Sequence, residues 1–471
     1  MGAGATAIKT YDPRASSIVT TRGGGVVDPD PAAGAWEHEV PPPLPLSAVD
    51  EVILHLQEAR SPWNVQVELG VDGRVDEATL HRAVMTCTRR HPMARARLAP
   101  WRWSDRSYSW RFAEEADVCP VRVVRCPDEA ALDELRRHLH GERIPLDTSP
   151  GFRVVLAQGP ARDTVLLSAN HVVADGVGTL RLMTSIARAY CGVDDPLGPT
   201  PLPAARDLEG LLAPDDRGER RSRRWEAVRR VREALDPPTR LAGHADGTPG
   251  VGFVGRIVAL DEATALADRA PDTSINDVLV AALHLSIAGW NVRAGARAGR
   301  VGVMMPVNLR PPESFWEVVG NAASMVSIST HPADRVDLRT ATDAVAAQTR
   351  ELRREVRARG LFDLFAVAAG APVGVQRAVA RLMPVVGGDR FIDTAVLSNL
   401  GRLAEPPSFG DDVPPALWFS PPCDRVCSVG IGAVTVGRSL MLSTRYRREV
   451  HDRAGAEQFV DEFVARLATA G

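Results

Sequence analysis

Runs of strand period and helix period alternate on both sides of a Pro- and Arg-rich break at residues 195–250. This interleaving restricts the fold more than any other feature of the chain. Before the break, Trp63 through Leu69 alternates apolar and polar residues, and Asp76 to Arg90 places Leu80, Ala83, Val84 and Cys87 on one helical face. Strand-like runs follow at Tyr108–Phe112, Val121–Val124, Phe152–Ala157 and Thr164–Ala169, with helical patterns over 128–140 and Gly178–Cys191. After the break, Gly252–Leu260, Val301–Val307, Ser324–Thr330, Ala395–Ser398, Val429–Val436 and Ser439–Tyr446 read as strands. Ser274 caps a helix from Ile275 to Trp290, and residues 341–359 and Ala454–Ala468 read as further helices. Mixed elements in both halves predict an α/β (α+β) fold with two layers of similar size.

The domain boundaries follow from this pattern. Residues 1–35 are small, polar and rich in Gly and Pro, which predicts a disordered tail. Residues 36–195 form the first subdomain, 196–250 a linker or crossover, and 251–471 the second subdomain. Eight arginines between Arg217 and Arg232 are interspersed with Glu219 and Glu226. They read either as a solvated helix or as a docking patch for a phosphate-bearing cofactor or carrier. A net charge of −3 leaves no global field for nucleic acid, so none is expected as a partner. The six cysteines contain no CxxC pair, so neither a zinc site nor any other metal is expected, and a reducing cytoplasm suits them. The most apolar stretch, Leu361–Val386, is broken by Asp363, Pro372, Arg377, Arg381 and Pro384, so no transmembrane segment is expected. That stretch reads as a core helix or, alternatively, as a surface touching a bilayer.

Chemistry concentrates where one strand ends. The apolar run Val165-Leu166-Leu167-Ser168-Ala169 leads directly into Asn170-His171-Val172-Val173-Ala174-Asp175-Gly176. Strand ends on a rigid scaffold present reactive side chains, and histidine is the usual general base near neutral pH. The residues alone leave two readings of His171, a structural histidine or a base. Gly176 permits a close backbone approach.

The segment NHVVADG resembles the HHxxxDG signature of the condensation-domain and chloramphenicol-acetyltransferase-like superfamily. Its surroundings are similar too. Ile144-Pro145-Leu146-Asp147 and Pro150 to Leu156 resemble the strand that precedes the signature, Arg90-His91-Pro92 with Arg95 the RHxxLR segment, and Leu46 to Asp50 the opening helix. Asn276-Asp277-Val278-Leu279 resembles the ND motif of wax ester synthase-like acyltransferases. Met305 to Arg310 with Gly320-Asn321 looks like the matching strand and turn, and Leu397-Ser398-Asn399-Leu400-Gly401 like the SNxG segment. Two features depart from the family pattern: Asn170 replaces the first histidine, and no PLW segment precedes the motif. The second departure favours a polyketide- or peptide-associated enzyme over a neutral-lipid one.

The resemblance implies a pair of chloramphenicol-acetyltransferase-like halves in a V, with His171 midway along a central channel. It implies an acyltransferase moving an acyl group from a thioester to a hydroxyl acceptor in bacterial specialised or lipid metabolism, with His171 as catalytic base. Coenzyme A or an acyl carrier protein acting in trans would deliver the acyl group as donor substrate, and no cofactor would be bound permanently. Asp175, with Asn170 and Gly176, would be structural, and Asp175 would pair with Arg95, with Arg90 as second choice. Ser398 and Asn399 would either donate a hydrogen bond to the oxyanion or form a polar turn. Asn308 and Asn321 read as turn residues, Asn276-Asp277 as a helix start and His91 as structural. Two alternatives stand beside this reading: a free-standing condensation enzyme forming an amide from carrier-bound partners, and a non-catalytic ligand-binding member, which Asn170 keeps open.

Overall fold

The computed structural model describes residues 40–59, 61–195, 202–206, 235–243, 247–260, 267, 273–310, 318–354, 371–382, 388–410 and 413–468. The expected tail, and most of the expected linker with its arginine cluster, lie outside these residues.

The first half contributes β1 (Leu44–Pro45), α1 (Ala48–Ala59), β2 (Asn64–Val71), α2 (Glu77–Arg90), β3 (Ala96–Leu98), β4 (Ser109–Phe112), β5 (Val121–Arg125), α3 (Glu129–Gly141), β6 (Phe152–Gln158), β7 (Asp163–Asn170) and α4 (Gly176–Cys191). After a short turn α5 (Leu202–Ala205) come β8 (Val251–Ala259), α6 (Ile275–Arg293), β9 (Val301–Asn308), β10 (Ala323–Thr330) and α7 (Leu338–Arg354). The chain closes with α8 (Val373–Leu382), β11 (Ala395–Leu403), β12 (Leu417–Ser420), β13 (Val429–Val436), β14 (Ser439–Arg447) and α9 (Arg453–Ala468). The architecture is mixed α/β, as the interleaved periods predict.

Two larger sheets organise these elements. The first runs β12-β2-β7-β6-β5 and the second β10-β9-β11-β13-β14-β8, while β1, β4 and β3 make a small third sheet. The strand β12 comes from the C-terminal part of the chain, yet it pairs antiparallel with β2, from Leu417 opposite Leu69 to Ser420 opposite Gln66. The expected boundary of 251–471 therefore does not hold at these residues. Leu417–Ser420 belongs to the first sheet, a four-residue strand whose pairing no local period reveals.

Each larger sheet has its own core. Val65, Val67, Val165, Leu167, Leu180 and Ile186 pack one face of the first sheet against its helices, and Phe419, Val434 and Met441 from the second half join the same cluster. In the second core α6 is buried nearly all round, with Val278, Leu279, Leu283 and Ile287 sealed from solvent. Among the described residues α6 alone is long and apolar enough to cross a membrane. Its burial identifies it as a core helix, the usual place for a helix with no polar face.

The start of α4 follows from its sequence. Asp175 caps it by accepting the Gly178 amide at 2.8 Å, and Gly192 ends it in the left-handed region at φ +68°. Between these caps, Leu180, Leu182, Met183, Ile186 and Ala187 turn inward. β7 and α4 thus fix both ends of the loop 171–175.

Candidate active site

β7 is buried along its whole length and delivers Asn170 and then His171 at its end. Asn170 is a brace. Its Nδ2 donates to the Ile144 carbonyl at 2.9 Å and its Oδ1 accepts the Val172 amide at 3.0 Å. One donor and one acceptor are what a neutral imidazole also offers, so an asparagine can fill this position.

His171 is held through its backbone from both halves. Its amide donates to the Trp63 carbonyl at 2.8 Å, and its own carbonyl accepts Asn321 Nδ2 at 2.7 Å. The imidazole is half-buried and lies beside the Trp63 indole, with ring centroids 6.3 Å apart. Nδ1 is buried and has no hydrogen-bond partner among the described residues. Burial pushes the His171 pKa below its ordinary value, and Asp175, Asn321 and Asp50 only partly oppose this. The ring is therefore neutral near pH 7 and able to accept a proton.

Asp175 carries the link between the halves. Arg310, just after β9, grips it with two parallel hydrogen bonds, Nη1 to Oδ2 at 2.8 Å and Nη2 to Oδ1 at 2.9 Å. Both side chains are buried. The Ala322 amide adds a bond to Oδ2 at 3.0 Å. Burial would raise the Asp175 pKa, but the Arg310 guanidinium outweighs it and holds the carboxyl below the usual carboxylate range. Arg310 also donates to the Gly320 carbonyl at 2.8 Å.

The expected pairing of Asp175 with Arg95 is corrected here. Arg95 sits in the turn after α2, where its Nη1 donates to the Glu114 carbonyl at 2.6 Å. Arg90 lies 3.4 Å from Asp195, which Arg181 also approaches at 2.9 Å. Neither reaches the motif, because Arg310 arrives from the other sheet and already occupies both carboxylate oxygens.

Asn321 is more than a turn residue. Its Nδ2 contacts Asp50 Oδ1 at 2.9 Å and the Val172 carbonyl at 3.0 Å, besides the His171 carbonyl. Asp50 in turn accepts the Ser47 amide at the start of α1 and pairs with Arg206. Three segments distant in sequence, at Ser47–Asp50, Arg206 and Asn321, thus meet beneath one loop.

Gly176 and Gly178 allow this closeness. A Cβ on Gly176 would lie 2.7 Å from the Phe419 ring and 3.0 Å from Leu400, and one on Gly178 would lie 3.0 Å from the Gly320 backbone. The Leu400 contact brings the 397–401 segment to the motif. Within it Ser398 is buried on β11, while Asn399 Nδ2 donates to Asn276 Oδ1 at 2.6 Å and its Oδ1 accepts the Gly401 amide at 2.8 Å. Asn399 thus closes a polar turn with Asn276. His91 contacts Ser185 Oγ at 2.7 Å, deep inside the first half. Among the described residues no three His, Cys, Asp or Glu side chains gather as a metal site would require.

Comparison with known proteins agrees with this architecture. A condensation-domain family model matches residues 48–208. An uncharacterised protein of Mycobacterium tuberculosis is 34% identical over 411 residues, which is 84% of this chain and 92% of that protein. A second M. tuberculosis protein, assigned provisionally by name to the diacylglycerol O-acyltransferases, is 27% identical over 72% of this chain and 74% of its own length. Among solved structures, the cyclization-docking bidomain of EpoB from Sorangium cellulosum superposes with a TM-score of 0.65 at 16% identity, covering 93% of this chain and 85% of that one. The starter condensation domain of rhizomide synthetase, solved with C8-CoA and Leu-SNAC, gives 0.63 at 15% identity over 91% of this chain and 94% of its own. With the strand-end motif, the sheet topology and these relatives all in agreement, the chain belongs to the condensation-domain and acyltransferase superfamily.

Proposed function

We propose that the protein transfers an acyl group from a thioester, carried by coenzyme A or a carrier protein, to a hydroxyl acceptor, with His171 as the general base. The observation that carries this reading is a neutral, half-buried imidazole at the end of β7, its backbone anchored by Trp63 from one side and Asn321 from the other. In the step envisaged, Nε2 takes the acceptor proton as the acceptor oxygen attacks the thioester carbonyl. The tetrahedral intermediate then breaks its C–S bond, and the proton passes from the imidazolium to the departing thiolate. The loop amides are already engaged with Trp63, Asn170 and Gly320, which leaves the Ser398 hydroxyl on β11 as the candidate to stabilise the oxyanion. Cytoplasmic specialised or lipid metabolism is the setting that suits such chemistry.

A second reading, amide formation with an amine acceptor, has support in the fold shared with the starter condensation domain solved with Leu-SNAC. The two separate in one experiment. Free thiol is followed with an acyl-coenzyme A plus a small alcohol, then plus an amine, with and without a carrier protein. Release that needs the alcohol supports ester formation, and release that needs the amine supports the second reading. His171→Ala should lower turnover by about 10²–10⁴-fold without unfolding the chain. A variant as fast as the parent would remove His171 from the mechanism.

A further inference from the structure

The helix α8 is amphipathic in the wrong sense for a soluble protein. Its polar residues Gln376 and Arg377 face α1, while Arg381 stays in solvent. Gln376 Oε1 accepts from His55 Nε2 of α1 at 3.0 Å, and Arg377 pairs with Glu58 at 2.6 Å while lying 4.5 Å over the Trp101 ring. Val373 anchors the helix in the core, but the later aliphatic residues face outward, with Val375 51%, Val379 52% and Leu382 57% exposed and Ala378 exposed between them. Spacings of three, four and seven residues set these on one stripe. The loop before β4 extends the stripe. The Gly374 amide donates to the Trp103 carbonyl at 3.1 Å and the Val373 amide to the Asp105 carbonyl at 2.8 Å, which lays the Trp103 ring over Gly374 with 64% of it exposed.

Charge identifies what covers this face. Arg102, Arg106 and Arg381 surround it, all exposed and none ion-paired among the described residues. Of the nearby acids, Glu58 is paired with Arg377, and Asp105, which accepts the Arg102 amide at 2.6 Å, is one carboxylate against three arginines. A basic patch on a chain of net charge −3 is a local feature. An exposed aliphatic stripe, a tryptophan beside it and a rim of arginines are what an anionic bilayer surface receives. A second copy of the chain suits the face poorly, because a two-fold contact would bring two sets of arginines together. We infer that Trp103 and the outer face of α8 dock the protein on an anionic lipid surface. The inference stands independently of acyl transfer. It would place the site close to membrane-dissolved substrates, since Asp50 beneath the motif loop and Glu58 beside α8 are about 12 Å apart along α1.

The test uses the full chain sedimented with phosphatidylcholine vesicles, with and without phosphatidylglycerol. Binding is expected only with phosphatidylglycerol, weakening as salt is raised. Changing Arg102, Arg106 and Arg381 to glutamine should weaken it by about fivefold per arginine. The double variant Val379→Glu/Leu382→Glu should abolish it with an unchanged urea midpoint, since both side chains already face water. The inference is overturned if no sedimentation occurs, if the double variant binds as the parent does, or if the parent forms a dimer that the double variant disrupts.

Discussion

The pairing of Asp175 with Arg310 can be tested by removing the guanidinium with Arg310→Met. The variant would lose two charge-assisted bonds to a buried carboxylate, each worth about 1.5–3 kcal/mol. The sum agrees with the cost of about 3–5 kcal/mol for stranding one member of a buried pair. Asp175 would keep the Gly178 and Ala322 amides, which places the expected loss near the lower end. Urea unfolding followed by tryptophan fluorescence would measure it. Arg310→Lys should recover part of the loss, because an ammonium supplies charge without the fork. The depressed carboxyl pKa sets the sign with pH. The contribution is present above the unfolded value of 3.8 and disappears as pH falls through the lower folded value. Arg95→Met should leave the Asp175 contribution intact. If Arg310→Met cost under about 1 kcal/mol, or if Arg95→Met removed the acid-sensitive term, the assignment of the partner would be wrong.

Three further outcomes are expected. Gly176→Ala should destabilise by about 1–3 kcal/mol and slow thiol release, because its methyl would press on Phe419 and Leu400; an unchanged urea midpoint would contradict this. Asn170→His should retain most stability and activity while Asn170→Ala loses about 1–3 kcal/mol from two unmade buried bonds, a difference that paired unfolding curves would show. Burial pushes His91 and His284 down to about 3 and His140 well below its ordinary value, so these rings stay neutral in the native state while the unfolded chain protonates below 6.5. Stability should be complete above that pH and fall below it, by up to about 1.4 kcal/mol per pH unit for each ring; a flat urea midpoint between about pH 7 and pH 5 would argue against it.

Much of this arrangement is legible in the chain. Periods of two and 3.6 locate most strands and helices, because one-sided burial writes itself into the order of residues. The motif loop is legible through His171, Asp175 and Gly176. The partners of that loop are not. Arg310 is one of many arginines, and 135 residues separate it from Asp175. Asn321 stands 150 residues from the His171 carbonyl and 271 from Asp50. Such contacts are made by the approach of two sheets, which leaves no local period. The Met305–Arg310 and Gly320-Asn321 segments were the available signal, since they lie at the end of one strand and the start of the next. The sequence leaves α8 open between a core helix and a surface touching a bilayer for a related reason. A stripe of Val375, Val379 and Leu382 reads the same whether it points inward or outward, and only the pairing of Gln376 and Arg377 with α1 decides.

The four residues of β12 have a consequence for how this chain can be divided. They supply the outer hydrogen-bonding row for β2, a strand otherwise sealed from water. A fragment ending before residue 417 would expose that row as a sticky margin ready to recruit foreign strands. The two lobes are therefore poor candidates for separate expression or for exchange between homologues at a midpoint junction, and a chimera that respects this fold must carry Leu417–Ser420 together with β2.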